Sequence, residues 1–132
     1  MRWLEKLADS AYALLRIIAG IMFAFHGAQK ILGILGATRP PMGSQLWFAG
    51  LIELIGGLAV ALGLGTRPAA FICSGEMAVA YFQAHWKLQM GTQFFPIINR
   101  GELAVLYCFV FLLVLCRGGV KWSLDKKLIS RN

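Results

Sequence analysis

Long apolar runs alternate with short polar connections along this chain, and the runs at residues 12–32, 46–65, 68–87 and 101–117 are the most extended. Each approaches the ~20 residues a helix needs to cross the hydrocarbon core of a bilayer. The pattern predicts an all-α fold: an integral membrane four-helix bundle, antiparallel, using residues 1–132 as one domain. Helix breakers separate the runs. Arg39-Pro40-Pro41 and Gly43 mark a substantial first connection. Gly63-Leu64-Gly65-Thr66-Arg67-Pro68 reads as a tight turn, with glycine ending one helix, Thr66 as N-cap of the next and Pro68 in its first turn. The third connection, Leu88 to Arg100, carries Phe94-Phe95-Pro96, whose aromatics are expected to dip into the interface or cover the bundle. The first run is too long, and too polar at its far end (His26, Gln29, Lys30), for a removable signal peptide.

Composition supports the membrane reading. Of the 132 residues 58% are hydrophobic and only 14% charged, about half the charge of an ordinary soluble domain. Gly20 with Ala24, Gly57 with Ala61 and Gly65, and Ala70 with Ser74 and Ala78 form rows of small residues. Such rows let helices approach closely where lipid gives no hydrophobic drive to associate. The net charge of +7 sits at the ends of the runs instead of on an aromatic-interleaved face, so nucleic acid is not the expected partner. Arg2, Lys6, Arg67, Arg117, Lys121, Lys126, Lys127 and Arg131 fall on one side of a four-span chain, and Lys30, Arg39, Lys87 and Arg100 on the other. The positive-inside rule then puts both termini in the cytoplasm. Trp3 and Trp122 mark the inner interface and Trp47 and Trp86 the outer one. Cys73, Cys108 and Cys116 lie within apolar runs without paired spacing, as packing residues do.

Ionisable groups inside the runs are the candidate chemistry, because a charge at the centre of a span costs about 2.5–3.5 kcal/mol on insertion scales. By helical rise, Arg16 and Glu76 both lie in the inner half, where they are expected to form a structural ion pair that fixes helix register. His26, Glu53, His85 and Glu102 converge in the outer half. On an ideal helix Glu76 and His85, nine residues apart, point in nearly opposite directions, which separates the inner pair from the outer cluster. His26, Gln29 and Lys30 share one face; Lys30 is expected to snorkel to the interface. Imidazole and amide there suit the carbonyl oxygens of a quinone, or proton passage from His26 to Glu53, beside which Gly56 and Gly57 leave room. His85 and Glu102 either join that site or cap the third connection, and Tyr107 stands to turn its hydroxyl inward. Two histidines and two carboxylates raise a metal, but no Glu-x-x-His pair is present; His26 and His85 at similar depth raise bis-histidine haem, without a further haem signature.

The same positions carry a resemblance. His26-Gly27-Ala28-Gln29-Lys30, Glu53 with Gly56-Gly57, Gly63-Leu64-Gly65-Thr66-Arg67-Pro68-Ala69-Ala70, Gly101-Glu102 with Leu106-Tyr107, and Trp122-Ser123-Leu124-Asp125 resemble the DoxX family in order and spacing, from about Arg16 to Leu128. The resemblance implies a four-helix protein of a bacterial or archaeal inner membrane with a quinone-linked redox role, like subunits tied to a terminal quinol oxidase and to thiosulfate:quinone oxidoreduction. It also implies protein partners, since family members are associated with oxidative-stress complexes and accessory membrane roles. No glycine fingerprint or cysteine cluster supplies a redox centre, so electrons need a bound quinone, a haem or a partner subunit. On this reading Glu53 and His26 exchange protons, and Gln29, His85 and Glu102 bind the quinone. The competing readings are a non-catalytic accessory or scaffold subunit of a larger membrane complex and, more weakly, a small proton-coupled transporter, against which the lack of broken-helix repeats argues.

Overall fold

Nothing between Trp3 and Ala11 breaks a helix, so the first helix runs through the polar N-terminal stretch as well as the expected apolar run. In a computed structural model, which describes residues 2–130, this helix, α1, covers Arg2–Leu32. Arg131 and the side chain of Arg2, counted above among the inner basic residues, lie outside what the structure describes. The other long helices match their runs to within a few residues: α2, Gln45–Leu62, α3, residues 66–86, and α5, Glu102–Arg117. Two short α-helices, α4 at Pro96–Asn99 and α6 at Leu124–Ile129, and a 3-10 turn at Thr92–Phe94 lie between or after them. The chain is all-helical, with no strand among the described residues. Within it, Trp3–Leu32 and Gln45–Leu62 are each long and apolar enough to cross a membrane.

Small residues decide which helices pair. A Cβ on Gly20 would sit 2.6 Å from the Ala61 nitrogen, and one on Gly57 2.6 Å from the Ala24 nitrogen, so the expected Gly20–Ala24 and Gly57–Ala61 rows bring α1 and α2 into backbone contact. Ser74, in the third small-residue row, joins α3 to α5 by donating to the Cys108 carbonyl at 2.8 Å. The α3–α5 pairing is extensive, second to that of α1 with α2. Phe23 of α1 closes the space between the two pairs, tilted on Tyr107 at 5.1 Å and edge-on to Phe111 at 4.7 Å. Large apolar side chains cover the outside instead: Phe71, Leu106 and Phe109 are 65%, 61% and 63% exposed. An outer surface this apolar suits lipid and not water.

The tight turn forms as expected at its α2 end and differently at its α3 end. Gly63, at φ +69°, closes α2, and the Leu64 amide reaches back to the Ala59 carbonyl at 2.9 Å. Thr66 does not cap α3. It is the first residue of the helix, and the cap comes from the chain tail: the Asp125 carboxylate accepts from the Gly65 amide at 2.7 Å, the Thr66 amide at 2.8 Å and the Thr66 hydroxyl at 2.6 Å. Burial pushes the Asp125 carboxyl up, but these hydrogen bonds, with the nearby Arg16 charge, outweigh it and hold it below the usual carboxylate range. Trp122-Ser123-Leu124-Asp125 thus does more than anchor the tail at an interface. Ser123 caps α6, and its hydroxyl donates to the Gly119 carbonyl at 2.6 Å.

Arg16 is the centre of this end of the molecule and corrects the expected ion pair. Its guanidinium is fully buried and donates to the Val60 carbonyl, to Ala61 O at 2.8 Å, to Lys121 O at 3.2 Å and to Trp122 O at 2.8 Å. Glu76 is not among its partners. Side chains on a helix lean toward its N-terminus, so Arg16 reaches down to the C-terminal end of α2 and the returning tail, while Glu76 stands about 15 Å up α3 from Thr66. The negative end of the α2 dipole and four carbonyls receive the charge that the carboxylate was expected to neutralise. The α1 N-terminal turns join the same end: Tyr12 donates to Gly118 O at 2.7 Å, Arg117 pairs with Asp9 at 2.5 Å, and Lys121 donates to Ser10 at 3.1 Å.

Candidate functional site

At the opposite end, away from the tail, the helices enclose a cavity of about 460 Å³. The residues on its wall follow helical phase. His26 and Lys30, four apart on α1, share its face, as do Arg100, Ala104 and Tyr107 before and along α5. From α2 come Gln45, Leu46, Ala49 and Glu53; from α3 come Glu76, Met77, Val79, Ala80, Gln83 and His85. Apolar side chains, among them Phe23, Leu46, Met77, Val79 and Leu103, share the wall with polar and ionisable ones, which make up half of its lining residues. That is more polar than the lining of an ordinary small-molecule site and suits a ligand that itself carries polar groups.

Two π-helical turns shape it. Ile52–Gly56 is π-helical and carries Glu53; Tyr81–Trp86 is π-helical and carries His85. A π turn advances each residue by less than the 100° of an α-helix, and such turns recur at functional sites. The turn on α3 begins between Glu76 and His85, and its smaller step per residue rotates His85 back toward the side Glu76 faces. The separation expected from ideal geometry therefore fails, and Glu76 lines the same cavity as His26, Glu53 and His85. On α2 the widened turn fits closely against α3, since a Cβ on Gly56 would lie 2.5 Å from Cys73 Sγ.

Lys30 is the second correction. Instead of snorkelling out, its ammonium donates to Glu53 Oε1 at 2.5 Å, with the Lys30 side chain 31% exposed and that of Glu53 4%. A buried carboxylate needs a cation or hydrogen bonds, and Lys30 is the nearest cation along the adjoining helix. The partner expected for Glu53, His26, lines the same cavity and meets Tyr107 edge-on, ring centroids 6.3 Å apart. His85 Nδ1 is 3.3 Å from the Asn99 carbonyl, which ties it to the third connection as well as to the cavity. Asn99 braces that connection, donating to Tyr81 OH at 3.2 Å and to Gln93 O at 2.9 Å. Phe94 covers Trp86 edge-on at 5.5 Å.

Gln29 and Glu102, the remaining expected binding residues, stand outside. Gln29 lies 60° round α1 from His26 and 100° from Lys30, which turns it off the cavity face. Glu102 is exposed and borders a shallow surface depression with Pro96 and Phe109. Tyr107 faces inward, and five residues of α-helix place Glu102 about 140° away from it.

Three buried polar atoms around the cavity have no protein partner: Glu53 Oε2, Glu76 Oε2 and the Tyr107 hydroxyl. Buried polar atoms are nearly always hydrogen-bonded, so three such atoms around one cavity leave it polar groups open to a partner from outside the chain. The set mixes donors, Lys30 and Tyr107, with acceptors, Glu53 and Glu76. Among the described residues, no three His, Cys, Asp or Glu side chains come together as metal ligands would. Lys30, Glu76, Gln45, Gln83 and Arg100 were not singled out for this site by the sequence. Only Lys30 left a trace there, in its four-residue spacing from His26.

Comparison with known proteins places the chain. The DoxX family profile matches residues 11–86, a stretch that holds His26, Lys30, Glu53, Glu76 and His85. An uncharacterized protein of Haemophilus influenzae is 44% identical over 138 residues, covering 99% of this chain and 100% of its own length. No solved structure matches the chain. The profile spans more than half of the sequence and includes most of the cavity wall, and on that ground the chain belongs to the DoxX family.

Proposed function

We propose that the protein is a multi-pass subunit of a bacterial inner-membrane oxidoreductase, an antiparallel four-helix bundle whose cavity binds a quinone between its helices. Both termini lie in the cytoplasm. The clustering of Lys6, Arg67, Arg117, Lys121, Lys126 and Lys127 near the tail end supports that orientation, while Lys30 at the opposite end is paired with Glu53. The apolar outer faces and the two membrane-length helices support insertion.

The observation that carries the quinone reading is the set of orphaned atoms. A quinone ring fits a cavity of about 460 Å³ whose wall carries apolar side chains beside its polar ones. A bound quinone would supply two-electron, two-proton carrier chemistry. Its carbonyl oxygens accept hydrogen bonds, and Lys30 and the Tyr107 hydroxyl can donate them; the reduced form donates from hydroxyls, and Glu53 Oε2 and Glu76 Oε2 can accept. One site therefore satisfies both forms. Lys30 fixes the Glu53 carboxylate in place, and His26 and His85 stand at the wall as groups able to exchange protons. The electrons enter through a partner subunit, because the chain carries no fingerprint for a redox cofactor of its own.

The test is to purify the protein gently in lipid and measure extracted quinone by mass spectrometry, for the wild type and for Glu53→Gln. Quinone retained near one per chain, and lost or greatly reduced in the variant, is expected. Protein free of quinone in both, copurifying with a stoichiometric partner, would replace this reading with that of an accessory subunit.

A further inference from the structure

We infer that the cavity is entered sideways from the lipid, through a window between the outer halves of α2 and α3, and that its ligand keeps a hydrocarbon tail in that window. The inference rests on the quinone reading for the nature of the head group, and on the packing of α2 for the opening.

The window follows from how α2 is held. Its first turns, Gln45–Leu51, pack on α1, whereas its packing against α3 is made from Ile52 onward, through the π turn and Gly57–Leu62. From Ile52 back toward Gln45 that packing falls away, and the cavity-lining side chains there include Leu46 and Ala49 on α2 and Val79 and Ala80 on α3. All four are apolar, and Leu46 and Val79 are 60% and 48% exposed. The window is closed below by the Gly56–Cys73 contact and above by an amide bridge from Gln45 to Gln83. From Gln45 down to Glu53 it runs about 12 Å along the helix.

Polarity is graded through this opening. Its edges are apolar; the orphaned oxygens of Glu53 and Glu76 and the Tyr107 hydroxyl lie inside. A ligand with a polar ring and a long apolar tail matches that gradient, ring inward and tail toward the bilayer, without exposing hydrocarbon to water or burying the polar head in lipid. A fully water-soluble ligand would leave the window's apolar edges with no use. The Gln45–Gln83 bridge strides over the tail and fixes how far apart the helices stand. The ligand class is thus a tailed, lipid-dissolved quinone, which reaches the site by diffusion in the membrane plane.

Two readouts test this. In the first, wild-type protein is reconstituted into phosphatidylcholine vesicles doped with a phospholipid carrying a diazirine in its acyl chain, illuminated, digested and mapped by mass spectrometry. Adducts are expected on Met77, inside the cavity, as well as on the outward Phe71 and Phe109. Substitution Val79→Trp, at the half-exposed edge where the cavity wall meets the lipid, should lower the Met77 adduct about tenfold and spare the other two; Met77 unlabelled in the wild type while Phe71 and Phe109 are labelled would overturn the window. In the second, Val79→Trp should reduce retention of a long-tailed quinone about tenfold while binding of a tail-less benzoquinone stays within about twofold. Equal loss of both, or of neither, overturns the seating of the tail. Met77 labelling with no quinone bound by the wild type would sink the quinone reading and leave the lateral opening standing.

Discussion

Replacing Arg16 by methionine separates the architecture seen here from the one expected of the sequence. Methionine keeps much of the side-chain volume and removes the guanidinium, which donates to the carbonyls of Val60, Ala61, Lys121 and Trp122. A hydrogen bond to a charged group is worth about 1.5–3 kcal/mol. Counting only the two well-formed 2.8 Å bonds, to Ala61 and Trp122, gives a loss of about 3–6 kcal/mol for Arg16→Met. The carbonyls that close α2 and start the tail are left unpaired in a buried setting, which keeps the loss from being relieved by water. Arg16→Lys should recover part of it, because an ammonium is a point donor and cannot span both pairs of carbonyls. An inner ion pair of Arg16 with Glu76 makes a different forecast: Glu76→Gln would then strand a buried cation and destabilise by about 3–5 kcal/mol. In this structure Glu76→Gln changes stability by less than about 1 kcal/mol, since its Oε2 has no protein partner to lose. The assay is reversible unfolding in mixed micelles followed by helical circular dichroism, with limited proteolysis of the tail as a second readout. Equal destabilisation by Arg16→Met and Glu76→Gln, or a loss under about 1 kcal/mol for Arg16→Met, would refute the carbonyl cage.

Three further outcomes follow from the same geometry. Tyr107→Phe should leave stability unchanged or slightly raised, because it removes a buried hydroxyl without a partner, yet weaken quinone binding by roughly 3–10-fold through one lost hydrogen bond; thermal shift and quinone titration together check this. Gly57→Ala should destabilise by about 1–3 kcal/mol, because its Cβ would stand 2.6 Å from the Ala24 nitrogen, a backbone atom that can move only if α1 and α2 separate; thermal unfolding measures it. Acid should loosen the tail. Asp125 has a folded-state carboxyl held below its ordinary value, so its contribution is fully present above the unfolded value of about 4 and is lost as pH falls through the folded one. Asp125→Asn should remove that acid-sensitive component, visible as a flatter dependence of tail proteolysis on pH below about 4.

Much of this protein is legible in its sequence because lipid leaves few choices. Apolar runs of membrane length must be helices, since no other local structure satisfies the backbone there. Glycine and proline then mark where the runs stop, and the ends of α2, α3 and α5 fall within a few residues of those marks. The small-residue rows on α1 and α2 also announce their contact, because only glycine and alanine permit backbones that close. Helix phase picks out His26, Glu53 and Tyr107 as inward-facing, and the motifs around His26 and Glu53 carry the family.

Partners, in contrast, were decided by tertiary structure. Depth along a helix says how high a group stands and not which way its side chain leans, so Arg16 was assigned to Glu76 when it binds carbonyls of α2 and the tail. Ideal 100° phasing kept Glu76 apart from His85, and a π turn at Tyr81–Trp86 brought them to one wall; no single residue in that stretch signals the wider turn. Lys30 looked like an interfacial lysine until the approach of α2 put Glu53 against it. The apolar pattern, a property of each segment alone, determined that the chain forms buried helices carrying ionisable groups. Which of those groups share a cavity depends on distances between segments, and only the packed helices set those.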